Sequence, residues 1–141
     1  KKFIVLFFVI FLTSCTIQTP LYYWGSGVTT YENLSCRRYD KDTPKVMCQA
    51  IVMYEDMLTY VGGGRQVPPP GICAEYAHML LQEDVMSVFY EHATVAQKKR
   101  FENSLYGSDA YDKALQLLEK EIELYPESTQ FIRPLISRFK K

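Results

Sequence analysis

Apolar residues recur at steps of three and four along much of the chain, which is the spacing of one face of a helix. The pattern is regular over residues 43–61, where Pro44 suits a first helical turn and polar residues such as Glu55 fall between the apolar ones. Glycines 62–64 end this element, and residues 30–39 form a shorter stretch of the same kind. The sequence therefore predicts two helices in this part of the chain.

A stiff, proline-rich connector separates these two helices from the next. Residues 67–71 contain three consecutive prolines, which fix φ and hold each preceding residue in extended geometry. Helical spacing then resumes over 70–82 and, most clearly, over 109–125. In the later helix Glu121 lies on the apolar stripe, whereas Lys113 is expected to face outward.

The C-terminal residues predict a last helix. Ser128 can cap its start, Pro134 is expected to kink it, and its basic end complements the helix dipole. The apolar residues expected to face inward are Phe131, Ile132, Leu135, Ile136 and Phe139.

The pattern is weakest in the segment before the clearest helix. Thr94 and Gln97 have the spacing of a capping box, and Phe101 with Leu105 supplies a narrow apolar face, so a helix is expected over 95–106. The ten residues before Thr94 either extend the preceding helix or form a loop. Together these elements predict an all-α fold.

Length and composition bound the class of protein. With 141 residues, the chain fits one ordinary domain, and 48% hydrophobic residues are too many for a disordered chain. The 16 basic side chains are balanced by 16 acidic ones. Because no charge excess is left to grip phosphates over a broad surface, a nucleic-acid partner is not expected.

The N-terminal residues have the character of an export signal. Two lysines precede ten consecutive apolar residues, 3–12, a run too short to cross a bilayer because a spanning helix needs about 20. Leu12-Thr13-Ser14-Cys15 follows and resembles the cleavage box of bacterial lipoproteins. In that class the Cys thiol receives a diacylglycerol and a peptidase cuts just before it, so the resemblance implies lipidation of Cys15. Thr16, where an Asp would favour the inner membrane, favours outer-membrane sorting.

These features divide the chain into three parts. Residues 1–14 are predicted as a signal peptide, 15–29 as a lipidated tether with an aromatic segment, and 30–141 as the helical domain. The six residues after Cys15 reach at most about 20 Å, so the domain must lie close to the bilayer. The aromatic segment, 21–24, either rests at the level of the lipid headgroups or folds back into the helical core.

Residues 111–126 resemble the second helix of a tetratricopeptide repeat. Ala114 occupies the small position of that motif and Leu118 the large one, and a proline closes it. The partner helix would be 70–82, with Ala77 at the position of close contact. The resemblance implies tetratricopeptide-like helical hairpins in one small domain; a helical hairpin without repeat ancestry is the alternative.

A wider resemblance covers most of the chain after Cys15. Its motifs are Tyr22-Tyr23-Trp24-Gly25, Pro69-Pro70-Gly71 and Tyr125-Pro126-Glu127-Ser128. They are similar to motifs of a family of small bacterial outer-membrane lipoproteins whose function is uncharacterised. Members are typically encoded beside a lipoprotein similar to the curli-secretion channel, so the resemblance implies an accessory role beside such a partner. It supplies no catalytic residues, and residues 84–107 look like an insertion relative to it.

Three cysteines remain besides Cys15, an odd number that allows at most one internal bridge in an oxidising compartment. Cys36 and Cys48 flank the turn between the first two predicted helices and are the natural disulfide pair. The alternative is that Cys36, Cys48 and Cys73 are three buried thiols.

Other candidate chemistry is sparse. His78 and His92 lack the spacing of a zinc site, and no Ser or Cys lies in a recognisable catalytic motif, so neither a metal nor a cofactor is expected. The sequence favours a non-catalytic docking component that is anchored in the outer membrane, faces the periplasm and presents a helical groove to a partner protein. The alternatives are a pilotin-like chaperone that escorts an outer-membrane client and a thiol-dependent periplasmic enzyme that uses Cys73.

Overall fold

Seven helices and one 3₁₀ turn make up the part of the chain that the structure describes. The structure, a computed structural model, describes residues 19–27 and 30–140, so the predicted signal peptide and Cys15 lie outside it. The helices are α1 (Tyr31–Asp40), α2 (Pro44–Thr59), α3 (Ile72–Leu80), α4 (Val85–His92), α5 (Val95–Glu102), α6 (Ala110–Leu124) and α7 (Thr129–Phe139), and the 3₁₀ turn is Pro126–Ser128. No strand occurs within the described residues, so the all-α prediction is confirmed.

Polar side chains at the helix starts explain where several helices begin. The hydroxyls of Thr30 and Thr43 each accept a hydrogen bond from the amide three residues further on, at 3.4 Å. The carboxylate of Asp109 does the same at 2.8 Å. Thr94 and Gln97 form the predicted capping box, in which each side chain bonds to the backbone amide of the other residue.

Helix α2 lies at the centre of the fold. It contacts α1, α3, α4 and α5, and Ile51, Tyr54 and Met57 are among its buried side chains. Helix α3 packs most extensively against α6, which also contacts α7. Ala77 of α3 and Ala114 of α6 are fully buried, and such small side chains let two helices approach closely. The predicted pairing of these two helices is therefore observed.

The last helix buries a narrower face than the sequence predicts. Ile132 and Ile136 are buried, but Phe131 and Leu135 are exposed. Because the 3₁₀ turn precedes α7, the hydroxyl of Ser128 donates to the carbonyl of Tyr125 and does not cap the helix.

The segment before α6 contributes to the core. Helix α4 is separate from α3, and its Phe89 packs against Phe101 of α5, with ring centroids 5.4 Å apart. Helix α5 ends at Glu102, earlier than predicted, so Leu105 lies beyond it and is 75% exposed. None of the helices in residues 19–27 and 30–140 is both long and apolar enough to cross a bilayer.

Candidate functional site

The chain that follows the predicted lipidation site is held against the loop between α2 and α3. The amide of Gly64 donates to the carbonyl of Pro20 at 2.9 Å, and the amide of Arg65 donates to the carbonyl of Leu21 at 3.0 Å. Gly63 has a φ of +80°, and a Cβ at this position would lie 2.6 Å from the carbonyl oxygen of Leu21. Only glycine allows both this backbone conformation and this close approach. Pro20, Leu21, Gly63, Gly64 and Arg65 are called the clamp below.

The aromatic segment divides between core and surface. Tyr23 packs against the core, and the guanidinium of Arg65 lies 6.0 Å from the centre of the Tyr22 ring. The ring of Trp24 lies 5.4 Å from that of Tyr31 in α1, and the Tyr31 amide donates to the Trp24 carbonyl at 2.9 Å. Trp24 nevertheless remains exposed. The packing of Tyr23 agrees with the fold-back interpretation, and a position of Trp24 at the lipid headgroups stays a prediction.

A charged cluster lies in the interior, where α2, α3, α5 and α6 each contribute one residue. The ammonium of Lys113 donates to Oε1 of Glu55 at 2.7 Å, and the hydroxyl of Tyr76 donates to the same oxygen at 2.6 Å. The ammonium also donates to the carbonyl of Phe101 at 3.0 Å and lies 3.4 Å from the centre of its ring. Lys113 is fully buried, so the prediction that it faces outward is wrong.

Burial and pairing act in opposite directions on Lys113. Desolvation lowers the pKa of its ammonium, because burial disfavours a charge, and Glu55 raises it. Burial also raises the pKa of the Tyr76 hydroxyl well above its ordinary value, and Glu55 adds to that rise. Tyr76 thus remains a donor at neutral pH. The donors of Lys113 are directed at protein groups, so the cluster fixes four helices relative to one another.

A second carboxylate links α1 to this cluster. Glu75 of α3 accepts hydrogen bonds from the hydroxyls of Tyr31 and Tyr54, both at 2.7 Å. The Tyr54 ring stacks on that of Tyr76, with centroids 5.0 Å apart. Burial, followed by Glu75, raises the pKa of Tyr54. Since Tyr31 also contacts Trp24, these contacts connect the aromatic segment to the interior of the domain.

The start of α3 is stabilised from α6. The amide of Gly71 donates to Oε1 of Glu121 at 2.7 Å, across fifty residues of sequence. A carboxylate at this position complements the positive end of the helix dipole. Burial raises the pKa of Glu121, whereas the amides of Gly71, Ala74 and Cys73 lower it. The predicted place of Glu121 on the inner face of its helix is confirmed.

The three cysteines of the described chain are free thiols. Cys36 is exposed, whereas Cys48 and Cys73 are buried. Burial raises the pKa of Cys73 to about 12 and also raises that of Cys48. His92 lines a surface cavity together with Cys48, but a nucleophilic cysteine needs a lowered pKa. The surroundings of both buried thiols therefore keep them protonated at neutral pH.

Thiol labelling tests whether Cys36 and Cys48 form the bridge that the sequence favours. Because the structure holds Cys36 at the surface and Cys48 inside, we expect Cys36, Cys48 and Cys73 all to react when the unfolded, unreduced protein is labelled. The reduced protein, labelled in parallel, gives the reference count. Reaction of Cys73 alone in the unreduced sample, located by peptide mapping, would instead demonstrate the bridge.

Sequence reasoning missed the internal lysine and the clamp. Lys113 lies three residues after Ala110 and four before Leu117, so its spacing places it on the apolar stripe of α6. This spacing indicates a buried position, whereas the charge of lysine favours an exposed one, and the sequence prediction followed the charge. The clamp had no comparable signal, because its contacts are made by backbone groups distant in sequence.

The remaining sequence predictions concern the lipidated cysteine and metal-binding side chains. Cys15 lies outside the described residues. Within residues 19–27 and 30–140, no group of three or more His, Cys, Asp or Glu side chains could hold a metal ion. Comparisons of the chain with protein-family models, with curated proteins and with solved structures find no match, so its function is argued from its own residues.

Proposed function

We propose that the chain is an outer-membrane lipoprotein, anchored through an acylated Cys15, that serves as a non-catalytic docking component of an envelope assembly. The observation that carries this proposal is Leu12-Thr13-Ser14-Cys15, which begins at the last of the ten apolar residues that follow two lysines. A cysteine thiolate is the nucleophile that takes up the lipid. Two or more acyl chains then hold a protein stably at a membrane, since each buried CH₂ contributes about 0.8 kcal/mol.

The helical part suits a docking role. The extensive pairing of α3 with α6, in which Ala77 and Ala114 are both buried, supports a tetratricopeptide-like hairpin. Hairpins of this class present grooves that receive a peptide or helix from another protein. The proposed partner is an envelope protein similar to the curli-secretion-channel lipoprotein.

The buried thiols favour docking over the thiol-dependent enzyme. With a pKa of about 12, Cys73 carries almost no thiolate at neutral pH, and Cys48 is shifted in the same direction. Neither thiol is prepared for nucleophilic attack.

Metabolic labelling with a fatty-acid analogue tests the anchor. The full chain expressed in a bacterium should incorporate the label and sediment with outer membranes, and Cys15→Ala should lose both properties. Cys36→Ala is the matched control, because it removes an exposed thiol outside the cleavage box and should keep the label.

Undiminished label on Cys15→Ala would contradict the anchor.

The docking role has a separate test. The acylated protein, captured from solubilised envelopes, should carry a companion protein in a fixed molar ratio. Capture without any companion would argue against a docking component while leaving the anchor intact.

A further inference from the structure

The clamp sets which side of the domain lies nearest to the anchor. Pro20 and Leu21 are fixed to Gly64 and Arg65 by backbone hydrogen bonds. Five residue steps separate Cys15 from Pro20, and at no more than about 3.6 Å each they reach about 18 Å. If Cys15 carries the lipid, the loop between α2 and α3 must therefore lie within that distance of the bilayer.

Exposed apolar side chains occur on both of the chain segments that form the clamp. Leu21 is 63% exposed and Trp24 41% exposed in the first segment, and Tyr60 is 60% and Val61 41% exposed immediately before the glycine loop. The core leaves these side chains uncovered, although they lie at the part of the domain that the tether holds nearest to lipid.

We propose that Leu21, Trp24, Tyr60 and Val61 form a membrane-facing surface that rests in the headgroup layer of the phospholipid leaflet holding the anchor. The inference rests on the proposed lipidation of Cys15. Tryptophan and tyrosine favour this layer, because one end of each side chain is apolar and the other forms hydrogen bonds.

Charge at the same place fits a phospholipid surface. Arg65 is exposed within the clamp. The guanidinium of Arg100 lies 5.2 Å from the centre of the Tyr60 ring but is paired with Asp56 at 2.8 Å, so Arg65 is the arginine of this surface that can reach a phosphate. Arginine pairs with phosphate groups through a planar fork of donors. The apolar and aromatic side chains suit the boundary of the acyl chains, and Arg65 suits the phosphates above that boundary.

Trp24 is the only tryptophan in the sequence, so its emission reports directly on this surface. The acylated full chain is placed in vesicles of phosphatidylethanolamine and phosphatidylglycerol, with or without bromine atoms on the acyl chains near the headgroups. We expect brominated lipid to quench Trp24 emission at least about twofold and the spectrum in lipid to shift to shorter wavelength.

A relocated tryptophan provides the matched control. Tyr39 is 97% exposed and lies eight residues beyond Tyr31 on α1, about 12 Å along the helix axis from the contact with Trp24. In the acylated double variant Trp24→Phe/Tyr39→Trp, brominated lipid should leave the emission unchanged.

Mass spectrometry of the same samples separates the two proposals. Acylated protein whose Trp24 emission is indifferent to bromine would overturn the membrane-facing surface and leave the lipoprotein proposal standing. Equal quenching of Trp24 and of the relocated tryptophan would also overturn this surface, since the contact would then not be confined to it. Absence of acyl chains from Cys15 would overturn both.

Discussion

Replacing Lys113 with methionine should lower the free energy of unfolding by about 3–5 kcal/mol, because the change leaves Glu55 as an unpaired charge in the interior. Methionine is unbranched and fills a similar volume, so a cavity contributes little to the loss. The ammonium also bonds the Phe101 carbonyl, which would lose this donor and keep the amide of Ser104. Urea unfolding followed by circular dichroism measures the difference.

Two further variants separate this effect from a general intolerance of substitution. Glu55→Gln/Lys113→Met should recover most of the loss, since neither side chain then carries a charge and glutamine can still accept from Tyr76. Lys120→Met removes an ammonium from a solvent-accessible pair with Glu123, so we expect a change of at most about 1 kcal/mol. A loss below 1 kcal/mol for Lys113→Met itself would show that the pair does not stabilise the fold.

Replacing Phe101 with alanine should destabilise the protein by about 3–5 kcal/mol. The side chain is fully buried against Phe89, and its ring also faces the ammonium of Lys113. Truncation opens a cavity and removes both contacts, whereas the backbone carbonyl that accepts from Lys113 remains. Thermal or urea unfolding gives the change directly.

Leu105→Ala is the matched control for Phe101→Ala. It changes a residue four positions away that is exposed, so its effect should stay within about 0.5 kcal/mol. If the two variants lose equal stability, Phe101 has no special place in the core and the described packing of α5 is incorrect.

Local signals predicted the helices well because the interactions that start and end them are local. Thr43, Thr94 and Asp109 each bond to an amide three residues away, and such contacts can be recognised from spacing alone. The end of α5 was harder to predict. The apolar spacing of Phe101 and Leu105 suggested one continuous face, but the helix ends at Glu102 and Leu105 does not reach the core.

The interior cluster depends on residues that are distant in sequence. Lys113 lies 58 residues from Glu55, and nothing near either residue indicates that the other will pair with it. Burying a lysine without a partner costs so much free energy that apolar spacing alone is weak evidence for a buried lysine. Residues 84–107 look like an insertion relative to the lipoprotein family that the chain resembles. In the structure, however, α4 and α5 of this segment supply Phe89 and Phe101 to the core.

The clamp also determines how mechanical load would enter the domain. If Cys15 carries the proposed lipid, tension on it would pass from Pro20 and Leu21 through two backbone hydrogen bonds into Gly64 and Arg65. Helix α1 follows the tether in sequence, yet these two bonds lie before it along the chain and would take up load first. Such tension would therefore be transmitted first to the connection between α2 and α3, beside the most extensively packed helix pair.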